Sequence, residues 1–220
     1  MAKTIRPSKA PNLPNAPRQG YDAGYFDQYS NILRLYFNQV DNVSGGILQN
    51  AGGRYLNFPN LFISNGSTQY ATGDNTATLV SWGTVVKNGG FTASSTTFTP
   101  TFSGAYSFDY RLQVENSATL AHTVYVWLKL DGVDVPNSCT KFTIPAGSGV
   151  ESYVVCASFI ELDLFGGSEL KLYWATDKAA TSGGGLGVYL EAYPAQVSPF
   201  AAPAIPSAYG SITFVSELDQ

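Results

Sequence analysis

The chain has 220 residues, of which 44% are hydrophobic and only 13% charged, with a formal net charge of −4. Its length allows one all-β domain with appendages. So little charge is too little to coat a free monomer, so a subunit that buries surface against copies of itself or a partner is expected.

The charge is also segregated along the chain. Residues 1–20 hold Lys3, Arg6, Lys9 and Arg18 and no acid, so they carry +4 and the remaining residues carry −8. An acidic body argues against nucleic acid as the partner, because phosphate binding needs a basic face. No apolar run is long enough to span a bilayer, so no membrane is expected, and no hydrophobic segment follows Met1-Ala-Lys-Thr-Ile-Arg-Pro as it would in a secretory signal. Assembly in a cytoplasm is therefore expected, with Cys139 and Cys156 as free, buried thiols rather than a bridge.

Prolines 7, 11, 14 and 17 forbid a helix in residues 1–20 and favour an extended arm, either a disordered tail or a segment that orders on a neighbour. From 21 to 42 the period changes. Phe26, Tyr29, Leu33, Tyr36 and Val40 recur at steps of three and four, with Tyr25, Ile32 and Phe37 widening the stripe and Asp22 placed to cap the helix. Such a helix either packs on its own domain or gathers with copies of itself. Residues 43–67 are rich in glycine and asparagine and read as a connector, with one short strand around Leu61 to Ile63.

Residues 68–193 carry period-two alternation. Tyr106, Phe108, Tyr110, Leu112 and Val114 form one long strand, and Val124, Val126, Leu128 and Leu130 form a second that closes on the tight turn Asp131-Gly132. Val150 to Leu164 is apolar on both faces, which predicts cover on both sides. Glu169 to Thr176 and Leu186 to Tyr193 follow as strands. With eight to ten strands and no helical pattern after residue 42, the fold expected is mainly β: an antiparallel jelly-roll sandwich preceded by a short amphipathic helix and an extended N-terminal arm. Residues 194–220 are too apolar for a solvated linker and are expected to pack on a surface, such as that of another subunit.

No catalytic constellation emerges. No Gly-x-Ser-x-Gly elbow is present, and His122, the only histidine, builds no transition-metal site with two distant cysteines. Asp109, Glu151, Glu161, Asp163 and Glu169 are acids without a signature, and Gly183-Gly184-Gly185 lacks the Lys-Ser/Thr of a phosphate loop. The expectation is a non-enzyme with no cofactor and no metal. Trp82, Trp127, Trp174, Tyr125 and Tyr173 could stack on a sugar, although each falls in a strand pattern that also fits core or subunit packing.

The run Phe98 to Tyr106, then Val124-Tyr-Val-Trp-Leu-Lys-Leu-Asp-Gly132 and Ser138, resembles the trimeric jelly roll of tumour-necrosis-factor-like and complement-head-like domains. Residues 68–193 are more closely similar to jelly-roll domains of phage virion proteins, and residues 21–42 to a Tyr-rich helix preceding them in short-tailed, often marine, phages. The resemblance implies a homotrimer, with Tyr125 and Trp127, or Tyr153 and Phe159, as outward aromatics at the threefold axis. It further implies a virion structural protein, a capsid decoration or head-fibre or knob, assembled in the host cytoplasm. The trimer contacts would be completed by Phe26, Tyr29, Leu33, Tyr36 and Val40. Lys3, Arg6, Lys9 and Arg18 would attach the trimer to a major capsid protein or another virion protein. The rival is a tail-fibre or receptor-binding module that recognises a host glycan through loops 115–121 and 177–185, neither of which contains an aromatic residue.

Overall fold

The alternating run that begins at Tyr106 is the spine of one sheet in the computed structural model, which describes residues 11–13, 23–48, 58–147 and 152–218. The chain divides into two compact units, Met1–Asn57 and Phe58–Gln220. The first contains the helix α1 (Ala23–Leu48). The second contains the strands β1 (Asn60–Asn65), β2 (Gln69–Tyr70), β3 (Thr78–Leu79), β4 (Thr84–Gly89), β5 (Phe91–Ala93), β6 (Phe98–Pro100) and β7 (Gly104–Asn116). It continues with β8 (His122–Leu130), β9 (Val133–Asp134), β10 (Thr140–Ile144), β11 (Ser152–Leu164), β12 (Leu170–Thr176), β13 (Val188–Leu190) and β14 (Ala208–Ser216).

Two seven-stranded antiparallel sheets form a sandwich. In the first the order is β11-β7-β14-β1-β4, and β13 with β2 continues alongside the end of β7 beyond β14. In the second the order is β10-β8-β12-β6-β5, with β3 added to β12 and β9 to β8. The eight principal strands pair from the outside inward: β1 with β14, β6 with β12, β7 with β11, and β8 with β10. Nested pairing of that kind is a jelly roll, as the strand pattern predicted.

Alternation selects the core. Tyr106, Phe108, Tyr110, Leu112 and Val114 point inward from β7, and Val124, Val126 and Leu128 meet them from β8. The two strands are not partners but lie in opposite sheets, and the loop between them is held by Asn116. Its Nδ2 donates to the carbonyls of Leu120 at 2.8 Å and Pro145 at 2.9 Å, and its Oδ1 accepts the N–H of Ala118 at 2.9 Å. The expected tight turn joins β8 to β9, with Asp131 at φ 51° and Gly132 at φ 84°, the left-handed values such a turn requires.

Three segments differ from the sequence reading. The helix does not stop at 42 but runs to Leu48 through Gly45 and Gly46. Glycine costs about 1 kcal/mol per residue in a helix, whereas a proline, absent here, would have removed the hydrogen bond itself. The short strand expected within the connector is β1, six residues long and seated between β14 and β4. The apolar segment 194–220 is not an external tail throughout, because its residues Ala208–Ser216 form β14 between β7 and β1. Ala208 and Ile212 are fully buried there. Gly210 lies where an added Cβ would stand 3.2 Å from Trp82 and 3.3 Å from Ile63, so β14 approaches the core closely at this residue.

Candidate assembly surface

β11 is the long strand at the edge of its sheet. It is 13 residues long, and β7 is its only strand partner among the described residues. Its outer face carries Tyr153, Val155, Ala157 and Phe159 in succession, then Glu161 and Asp163. Tyr153 is 55% exposed, Val155 51% and Phe159 59%. The expectation that both faces of this strand are covered is therefore corrected: one face packs on the core through Cys156, Leu162 and Leu164, and the other is open. An open edge with an apolar face is a template for another chain unless charge or a bulge blunts it. Here the apolar half of the face has neither, since the register with β7 runs without a shift.

Next to this face, Asp109 and Arg111 on β7, with Tyr209 on β14 and Phe159, line an open depression of about 570 Å³. The Arg111 guanidinium lies 5.8 Å from the centre of the Tyr209 ring. Nearer the other end of β11, Tyr153, Gln113 and Tyr193 border a second hollow of about 410 Å³, whose far wall is the hairpin that brings Tyr193 against Ile205.

Tyr125 and Trp127, the alternative outward pair, lie on the other sheet. They occupy the outer face of β8 and already have partners. The Trp127 ring stacks on Tyr173 with centroids 5.8 Å apart, and its Nε1 donates to Asp134 Oδ1 at 2.8 Å. Lys129 Nζ sits 5.3 Å from the Tyr173 ring and Lys141 Nζ 5.4 Å from the Tyr125 ring. Lys129, and after it Trp127, hold the Asp134 carboxyl below its ordinary value through their hydrogen bonds. Trp82 and Trp174, the other tryptophans considered for sugar stacking, are core residues.

On α1, Tyr29, Leu33, Tyr36 and Val40 are half-buried and Phe26 is exposed, as are Leu35 and Phe37. Tyr25 stacks on Tyr29 with centroids 6.0 Å apart, and Tyr36 meets Phe37 edge-on at 5.7 Å. Lys3, Arg6, Lys9, Arg18 and Asp22 lie outside the described residues, as does Glu151.

His122 Nδ1 lies 3.1 Å from Asp177 Oδ1, and Asp177 also accepts the N–H of Thr123, a pairing that ties the start of β8 to the end of β12. Both cysteines are unbridged, and Cys139 is exposed where a buried thiol was expected, because it precedes β10 rather than lying within it. Burial raises the Cys156 thiol to about 11. Among the described residues no group of three or more His, Cys, Asp and Glu side chains is placed to hold a metal ion. No helix among them is long and apolar enough to cross a membrane.

Val155 was missed as a surface residue by sequence reasoning. Glu161 and Asp163 continue its face along the strand, and that parity marked the solvent side.

No protein-family model matches the sequence, and no curated protein matches it. Among solved structures, the globular domain of zebrafish complement 1qA protein aligns with 73% of this chain and 99% of its own, at 13% sequence identity and a TM-score of 0.39.

Proposed function

We propose that this chain is a virion structural protein that works as a homotrimer, either a capsid decoration or a head-fibre or knob. The observation that carries the reading is the open face of β11, where Tyr153, Val155 and Phe159 are each more than half exposed along one edge strand. Covering that face with a second copy removes apolar area from water at about 25 cal/mol per Å². Tyr153 and Phe159 are the trimer contacts favoured over Tyr125 and Trp127, because the latter pair is already engaged by Asp134, Tyr173 and Lys141.

The apolar stripe of α1 supports the same reading. Phe26, Tyr29, Leu33, Tyr36 and Val40 hold the spacing by which helices gather, and the first of them is exposed. The basic residues 1–20 on an otherwise acidic chain make the N-terminal end the one drawn to an acidic shell, through Lys3, Arg6, Lys9 and Arg18. The virion role itself rests on the resemblance of residues 21–42 and 68–193 to phage structural proteins.

Light scattering on the purified chain tests the assembly. A trimer is expected, and a stable 23.5 kDa monomer at micromolar concentration overturns it. Deletion of residues 1–20 tests the attachment. The shortened chain should remain a folded trimer that no longer joins particles, and incorporation equal to the full-length chain would place attachment elsewhere.

A further inference from the structure

Loops 115–121 and 177–185 contain no aromatic residue, which weakened the case for sugar recognition at that end of the domain. The fold supplies aromatics from two other strands. Tyr70 of β2 and Tyr189 of β13 are directly opposite in the sheet, and their rings stack with centroids 5.6 Å apart and planes 21° from parallel. With Ser117, Thr181, Ser182 and Leu186 they line a cavity of about 280 Å³. We propose that this cavity binds a single neutral pyranose ring.

Three features of the cavity fit that ligand. Tyr70 is 37% exposed and lines the cavity, so its aromatic ring can meet the C–H side of a sugar, a packing the aromatic quadrupole favours. Beside Ala180 and Leu186, the rest of the lining is the hydroxyls of Ser117, Thr181 and Ser182 with backbone, groups that exchange hydrogen bonds with sugar hydroxyls without demanding charge. The described lining contains no charged side chain, which favours a neutral hexose over a sialic or uronic acid.

The cavity is also preformed. The Tyr189 hydroxyl donates to Glu115 Oε1 at 2.7 Å, which fixes the ring in place. The loop is closed by hydrogen bonds from the Gly184 N–H to the Thr181 carbonyl at 3.1 Å and from the Gly185 N–H to Thr181 Oγ1 at 3.0 Å. Gly184 holds φ 93°, which a turn this tight requires and which other residues rarely adopt. Walls ordered in advance lower the entropy lost on binding. The volume admits one ring, so a longer glycan would extend from it into solvent.

The site shares the outer face of its sheet with Tyr153, since Glu115 of β7 stands opposite both Tyr153 and Tyr189, and its test reads sugar contact directly rather than assembly. Saturation-transfer difference NMR is run on the full-length chain with the methyl glycosides of glucose, galactose and mannose, and with N-acetylneuraminic acid as the anionic comparator. The expected result is saturable transfer to the ring protons of at least one neutral glycoside at millimolar concentration, and none to the acid. Tyr70→Ala should weaken binding about fivefold or more, Tyr70→Phe should retain it, and Trp127→Ala on the other sheet should leave it unchanged. Ser182→Arg, which fills the cavity from an exposed position without altering either ring, should also abolish binding. Unchanged circular dichroism qualifies each variant, and if Tyr70→Ala does not fold, Ser182→Arg decides. The proposal is overturned by no transfer to any neutral glycoside, by transfer confined to the acid, or by transfer that survives Ser182→Arg.

Discussion

The Tyr193 hydroxyl lies 2.5 Å from Oε2 of Glu115, whose other oxygen accepts from Tyr189, and Glu115 is only 1% exposed. A carboxylate at an outward position of β7 is thus sealed by the chain that follows β13, with two phenols as its donors. Burial first, and then Glu115 itself, push the Tyr193 phenol above its ordinary value.

Removing these donors should uncouple that seal. Tyr193→Phe is expected to cost about 1.5–3 kcal/mol, the range for a hydrogen bond to a charged group. Tyr189→Phe combined with Tyr193→Phe should cost more than the two single changes added, because the carboxylate is then buried without a partner. Urea denaturation measures all three. A double variant no less stable than the worse single variant would show that Glu115 finds other donors.

Alkaline pH should destabilise the sandwich by a defined route. Burial raises the Tyr110 phenol from 10.0 to about 12 and the Cys156 thiol from 9.0 to about 11. Below pH 9 both groups are protonated in the folded and unfolded chain, and stability is fully present. As pH rises toward 12 the unfolded chain releases protons that the folded chain still holds, so stability falls. One pKa unit corresponds to about 1.4 kcal/mol, which makes Tyr110 alone responsible for about 2–3 kcal/mol at the top of that window. Thermal melts between pH 8 and 12 should show the decline, and Tyr110→Phe with Cys156→Ala should flatten it. An identical slope in that double variant would locate the effect in other groups.

Charge placed on the open face of β11 should separate the subunits without unfolding them. Val155 and Phe159 are exposed in the single chain, so Val155→Lys and Phe159→Glu should change domain stability by no more than about 0.5 kcal/mol. Light scattering should then report monomers, whereas Tyr125→Ala should leave the assembly intact. A trimer that survives both β11 changes would exclude this face as the contact.

The C-terminal strand should be indispensable. A chain ending at Pro206 lacks β14, which separates β1 from β7 into unpaired edges and opens the core at Ala208 and Ile212. Circular dichroism is expected to show loss of the folded sandwich. Gly104→Ala tests the same junction more gently, since its Cβ would fall 2.4 Å from the Phe214 ring and 2.9 Å from the Ser216 carbonyl. Overpacking of that kind costs about 1–3 kcal/mol. A truncated chain that melts like the full one would return residues 207–220 to the role of an appendage.

Local chemistry was enough to specify much of this protein. The alternation of Tyr106 to Val114 and of Val124 to Leu128 determined which side chains enter the core, because successive side chains of a strand leave opposite faces. Asp131-Gly132 determined a tight turn, and the three-four spacing from Phe26 to Val40 determined a helix with one apolar stripe. Partnership was decided only in three dimensions. Nothing in Val150 to Leu164 distinguishes an inner strand from an edge, and β11 is an edge because no strand pairs beyond it among the described residues. Nothing in the apolar run after residue 194 says that it returns to lie between β7 and β1, more than ninety residues from either strand in sequence. The cavity beside Tyr70 was half legible: loops 115–121 and 177–185, which supply Ser117, Thr181 and Ser182, were readable as glycan candidates, but the stacking of Tyr70 on Tyr189 that gives the site its aromatic wall joins residues far apart in the chain. Period and turn chemistry act between neighbours in the chain, whereas edges, seals and cavities arise from pairings between distant segments, which only the closed sandwich brings together.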